Sequence, residues 1–82
     1  MKNIDINKLT EQIIGASIEV HKILGPGLLE SAYQEALVYE LRLRGFFVEE
    51  EVLLPVVYKT ITLKKGFRAD VIVEKSVMLE LK

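Results

Sequence analysis

The chain has no cysteine and no tryptophan, only two prolines, and no surplus of charge of either sign. Without cysteine, neither a disulfide nor a zinc-thiolate site can support the fold. This is compatible with an intracellular setting, and the cytoplasm is the expected location. No apolar run approaches the ~20 residues of a membrane span, and Met1-Lys2 is not followed by a signal-type apolar stretch. The formal net charge of -1 supplies no global basic field to draw in nucleic acid. Any nucleic-acid contact must therefore use a local cationic cluster or metal ions. What is present is a globular composition: 82 residues, 50% hydrophobic and 28% charged, which argues against disorder. That length allows one domain over residues 1–82 with a thin core.

Residues 1–6 read as a frayed start. A first helix is predicted from about Lys8 to Leu24, with Asn7 as its N-cap. Leu9, Ile13, Ala16, Val20 and Ile23 form an apolar stripe that Ile14 and Ile18 widen. Gly25-Pro26-Gly27 ends it, with Gly25 in a left-handed cap. A second helix runs from about Glu30 or Ser31 to Arg44, with Ala36, Leu37 and Leu41 facing the core and Gly45 just past its end. The period then changes. Phe46 to Tyr58 is rich in β-branched and aromatic residues and reads as extended, with Pro55 demoting its middle to an edge or bulge. Short strands follow at Ile61-Thr62-Leu63, Phe67 to Val73 and Val77 to Leu81. The expected class is α+β: two N-terminal helices packed on an antiparallel β-meander.

The last thirteen residues carry the chemistry. A turn at Glu74-Lys75-Ser76 makes a hairpin in which Asp70 pairs opposite Glu80. Side chains alternate across a strand, so Val71, Val73, Val77, Leu79 and Leu81 share an apolar face. Asp70, Ile72, Met78, Glu80 and Lys82 share the other. Two carboxylates and an ammonium then gather at the open end of the hairpin. An acidic pair offers hard oxygen ligands to a divalent cation. A nearby lysine can orient a water or neutralise charge developing on a phosphate. By spacing alone, a solvated polar face on a half-buried hairpin is the more ordinary reading, because D-x9-E-x-K is a loose pattern.

Asp70 followed by Glu80-Leu81-Lys82 on the adjacent strand resembles the active site of the PD-(D/E)XK nuclease superfamily. Gly27-Leu28-Leu29-Glu30-Ser31-Ala32-Tyr33 is G-x-x-E-x-x-Y as written. It follows Ile14 to His21 and Leu24-Gly25-Pro26-Gly27, and precedes Leu54-Pro55-Val56-Val57-Tyr58-Lys59 and Phe67-Arg68-Ala69-Asp70. From about Leu9 onward the string is similar to the GxxExxY family within that superfamily. The resemblance implies a restriction-endonuclease-like α/β core of helix, three-stranded meander, helix and strand. It implies that Asp70 and Glu80 hold Mg²⁺ or Mn²⁺, that Lys82 is the catalytic lysine, and that Glu30 is an additional helical acid. With it come DNA as substrate, phosphodiester hydrolysis as the reaction, and the Leu81 backbone carbonyl as a further metal oxygen. Thr60 stands where the family usually has glycine. The family typically continues past the position of Lys82 with a helix and a strand, so the domain is expected to be C-terminally truncated.

Each of these residues has a structural alternative. Glu30 in a first helical turn is stabilised by the helix dipole. His21, the only histidine, is more often a structural residue than a ligand. Tyr33 is expected to pack its ring against the sheet. Glu49-Glu50-Glu51 reads as a solvated strand edge. Lys64, Lys65 and Arg68, with Lys59, make the densest basic segment and are candidate phosphate contacts. A non-catalytic interaction module or an inactive fragment is the rival function. An exposed C-terminal strand or apolar sheet face also points to a homo-oligomer, a homodimer first.

Overall fold

The computed structural model describes residues 5–81. Helices α1 (Ile6–Leu24) and α2 (Glu30–Leu43) precede strands β1 (Val48–Leu54), β2 (Val57–Tyr58), β3 (Ile61–Thr62), β4 (Phe67–Val73) and β5 (Val77–Leu79). The architecture is the expected α+β one, two helices followed by antiparallel strands. The strands divide into a three-stranded sheet of order β1-β4-β5 and a separate β2-β3 hairpin.

α1 starts two residues earlier than its apolar pattern alone predicts, because Asp5, not Asn7, is the N-cap. The Asp5 carboxylate accepts from the amides of Asn7 at 3.0 Å and Lys8 at 3.2 Å, satisfying two otherwise free donors. Leu9, Ile13, Ala16 and Val20 are buried as expected, but Ile14, Ile18 and Ile23 are exposed. The reason is geometric: only one narrow stripe of α1 meets α2 and the sheet, and residues a turn-fraction away fall outside it. Gly25 has the positive φ of 72° that the sequence suggested, yet its ψ of −175° is extended rather than left-handed helical. The chain therefore leaves α1 sharply, and Gly27 takes a second positive φ of 94° before α2 begins.

α2 buries Leu37, Val38 and Leu41, while Ala36 is only partly covered. Its end is a Schellman motif: the Phe46 amide donates to the Leu41 carbonyl and the Gly45 amide to Arg42, with Gly45 at φ 90°. Arg44 ties this end to α1. Its guanidinium donates to Glu40 at 2.9 Å, and to the backbone carbonyl of Gln12 at 3.3 Å and its side-chain oxygen at 3.0 Å. Gly15, a weak helix former, leaves the space that this guanidinium fills, 3.2 Å from where a Cβ would stand.

Pro55 does more than weaken an extended run. It divides Phe46 to Tyr58 between two sheets, because a residue without an amide cannot continue the ladder. β1 pairs with β4 from Val48↔Val73 to Leu54↔Phe67, and β4 pairs with β5 from Val71↔Leu79 to Val73↔Val77. The turn falls at Glu74-Lys75-Ser76 as read from the sequence. Glu74 and Lys75 both have φ 53°, the sign a tight hairpin turn of matching twist needs. Glu74 also anchors the chain after α2: its carboxylate accepts from the Phe47 amide at 2.6 Å, and its own amide donates to the Phe47 carbonyl at 2.7 Å.

Val48, Val71 and Val73 close the core beneath the helices, with Val77, Leu79 and Leu81 packed at its margin. Alternation thus turns one face of the β4-β5 hairpin to the helices. The other face, which carries Asp70 and Ile72, lies on the side away from the buried valines.

Candidate functional site

The site is built on the β4-β5 hairpin. Asp70 lies near the middle of β4, between Ala69 and Val71, both fully buried on the helix side. Its own side chain is on the alternate face and half-buried. The three β4-β5 pairs fix the register as far as Val71↔Leu79, and one further step would put Glu80 opposite Asp70. β5 itself ends at Leu79, so Glu80 and Leu81 follow the strand without belonging to it. The register is held there by a side chain instead of a backbone ladder: the Leu81 amide donates to Asp70 Oδ2 at 2.9 Å. Asp70 is tied on the α2 side as well, since the Gln34 amide group donates to its backbone carbonyl at 3.4 Å.

Glu80 is exposed, and Leu81 is half-buried against the core. Glu30 is the first residue of α2 and exposed. Glu30 and Glu80 both border a cleft of about 200 Å³ between α1, the head of α2 and the chain after β5, together with His21, Tyr33 and Leu81. The structure thereby brings residues from three distant parts of the sequence to one cleft. Lys82 lies outside the described residues. Lys64 and Lys65 are exposed between β3 and β4, and Arg68 is exposed on β4.

Tyr33 is half-buried and packs against the core cluster that includes Val48, Val71 and Val73. Its ring lies against His21, with centroids 4.9 Å apart and planes tilted by 37°. Its hydroxyl donates to the Gly25 carbonyl and accepts from the Leu28 amide. The tyrosine therefore staples the Gly25-Pro26-Gly27 turn, and with it the start of α2 where Glu30 sits. The motif's spacing explains itself in these terms. Glycine permits the turn, and a tyrosine six residues later, about one turn into α2, reaches back to close it.

Glu51 is exposed on an edge strand, as the acidic run Glu49-Glu50-Glu51 predicts. The register, however, sets Glu51 across β4 from Asp70, between the pairs Glu50↔Val71 and Val52↔Ala69. Glu51 has φ 51°, a left-handed conformation rare for a non-glycine residue inside a strand. Its carboxylate engages Arg68 Nε at 3.4 Å. Alternation within one strand carries no signal for a cross-strand neighbour, so only the pairing reveals this.

Chemically, Asp70 and Glu80 are hard oxygen donors, and Mg²⁺ is commonly held by one or two carboxylates with water and substrate phosphate completing the shell. A two-acid set fits that ion. Among the described residues no group of three or more His, Cys, Asp or Glu comes together as a metal cage, and Mg²⁺ does not require one. No helix among the described residues is long and apolar enough to cross a membrane.

The family model described as the PD-(D/E)XK nuclease superfamily matches residues 7–82. No curated protein and no solved structure matches the chain.

Proposed function

The chain belongs to the PD-(D/E)XK nuclease superfamily, and from that membership we propose a Mg²⁺- or Mn²⁺-dependent domain that hydrolyses DNA phosphodiester bonds in the cytoplasm. What supports this reading is the β4-β5 register, Val71↔Leu79 to Val73↔Val77, which extended by one step would bring Glu80 opposite Asp70. Within the superfamily we assign it to the GxxExxY group, on the segment Gly27 to Tyr33 and the staple that its tyrosine makes.

Asp70 and Glu80 would hold the metal ion, with the Leu81 backbone carbonyl as a further oxygen and Glu30 acting through a bound water, since no three acids come together among the described residues. When bound, such an ion lowers the pKa of a coordinated water and polarises the phosphate. The chain's own contribution is placement. The Leu81 amide fixes one Asp70 oxygen, and the Tyr33 staple fixes the turn before Glu30. Lys82 would neutralise charge developing on the phosphate or orient the attacking water. Lys64, Lys65 and Arg68 would contact backbone phosphates.

The test is plasmid nicking with Mg²⁺ or Mn²⁺ by the wild-type chain, Asp70→Asn and Lys82→Met. The reading requires cleavage by the wild type alone, with Lys82→Met retaining metal binding. Wild-type protein that binds neither cation and leaves the plasmid intact points to the rival, a non-catalytic interaction module.

A further inference from the structure

Among the described residues, β2 and β3 form a ribbon that joins no other sheet. Two residues per strand cannot bury a side: Val57 is 65% exposed, Tyr58 58% and Ile61 57%. Isolated hairpins are marginal in water, so this one depends on its base. There the Leu63 amide donates to the Val56 carbonyl at 2.8 Å. Gly66 passes so close to the end of β1 that a Cβ would stand 2.2 Å from the Leu54 carbonyl oxygen. The base is clamped and the tip projects. The tip is the two-residue turn Lys59-Thr60, with Lys59 at φ 54°.

The charge of this region departs from that of the chain. From Val52 to Ala69 there is no Asp or Glu, while Lys59, Lys64, Lys65 and Arg68 all fall within it. A protein of net charge -1 thus carries one purely cationic segment. An apolar projecting ribbon alone is an aggregation hazard. Interleaved with cations and an aromatic ring it suits a polyanion with apolar faces, which is what a nucleic-acid strand presents. Lys59 Nζ lies 5.5 Å from the Tyr58 ring centroid, so the tip offers ring and ammonium together. Arg68 ends the cationic segment two residues before Asp70, on the same face of β4 by alternation.

We propose that the β2-β3 hairpin is a DNA-gripping finger: Lys59, Lys64 and Lys65 bind backbone phosphates, Tyr58 packs on the sugar–base surface, and the strand is led along Arg68 toward Asp70. The identity of the polyanion rests on the nuclease reading above, but the grip does not depend on hydrolysis. Beyond a basic patch, it assigns the work to one projecting element and gives Tyr58 a role.

The experiment is fluorescence anisotropy of a labelled DNA duplex of about 20 base pairs with the full chain in EDTA, where no cleavage occurs, over a range of NaCl. The triple variant Lys59→Gln, Lys64→Gln, Lys65→Gln should bind about tenfold or more weakly near 50 mM salt. Its slope of log K against log salt should be shallower by about 2 to 3, one unit per lost phosphate contact. Tyr58→Ala should weaken binding about threefold or more with the slope unchanged, since stacking releases no counterions. All four side chains are exposed, so circular dichroism should show unchanged melting. If the triple variant melts early, the single variants Lys59→Gln and Tyr58→Ala carry the same test.

Unchanged affinity and slope overturn the finger, as does a wild-type chain that fails to bind at low salt. So does a variant that dissociates an oligomer in sedimentation while binding DNA normally, which would mark the hairpin as a protein interface. Variant-insensitive binding alongside wild-type cleavage removes the finger and leaves the nuclease. Finger-dependent binding without cleavage does the reverse.

Discussion

The Leu81 amide donates to Asp70 Oδ2 at 2.9 Å, so the proposed metal ligand is also the group that holds the chain in register after β5. Two variants separate these roles. Asp70→Asn keeps a carbonyl oxygen for the Leu81 amide and removes the charge, so stability should change by under about 1 kcal/mol while cation binding is lost. Asp70→Ala removes both and should cost about 1–2 kcal/mol, the lower part of the range for a charge-assisted hydrogen bond because the site is half-solvated. Urea titration reads the first quantity and Mn²⁺ calorimetry the second.

Tyr33→Phe deletes the hydroxyl that bridges the Gly25 carbonyl and the Leu28 amide. Two neutral hydrogen bonds in a partly exposed turn amount to about 1–2 kcal/mol net. The ring contact with His21 survives, so the fold should persist. The loosened segment is Gly25 to Glu30, and amide exchange should accelerate at Leu28 while the β4 amides stay protected.

Gly66→Ala places a Cβ where the Leu54 carbonyl oxygen stands. A backbone oxygen cannot yield as a flexible side chain does. The end of the β1-β4 ladder at Leu54↔Phe67 should open, at a cost of about 2 kcal/mol or more. Thermal melting measures that loss. DNA affinity measured below the melting temperature should fall as well, because the base of the hairpin shifts.

β5 is an edge strand of the three-stranded sheet, and Met78 on it is exposed. Edge strands with free backbone groups recruit partners, and two-fold pairing is the commonest closed outcome. We expect a homodimer that covers β5 or the sheet face behind it. Sedimentation equilibrium across a wide concentration range decides: a monomer throughout contradicts the expectation.

The helices, their order and the hairpin turn were legible from local pattern. Each depends on neighbours in sequence. The 3.6-residue period places Leu9, Ile13, Ala16 and Val20 on one side of α1, and the two-residue period places Val71 and Val73 beneath the helices. The exposure of Ile18 and Ile23 was not legible, because burial needs a surface to pack against and the sequence does not say how wide that surface is. The cap at Asp5 was missed by two residues because Asn7 is equally suited by chemistry.

What the sequence determined by itself is the set of periodicities and the motif spacing, and with them the class of fold. These follow from covalent geometry and short-range sterics, which act between residues a few positions apart. What only the tertiary structure decided is who meets whom across the chain. The cross-strand position of Glu51 beside Asp70, the Tyr33 hydroxyl closing the turn before Glu30, and the Pro55 break that sets β2-β3 apart as a projecting ribbon are three such cases. They depend on register and packing between segments far apart in sequence, where pairing free energy rather than local conformational preference makes the choice.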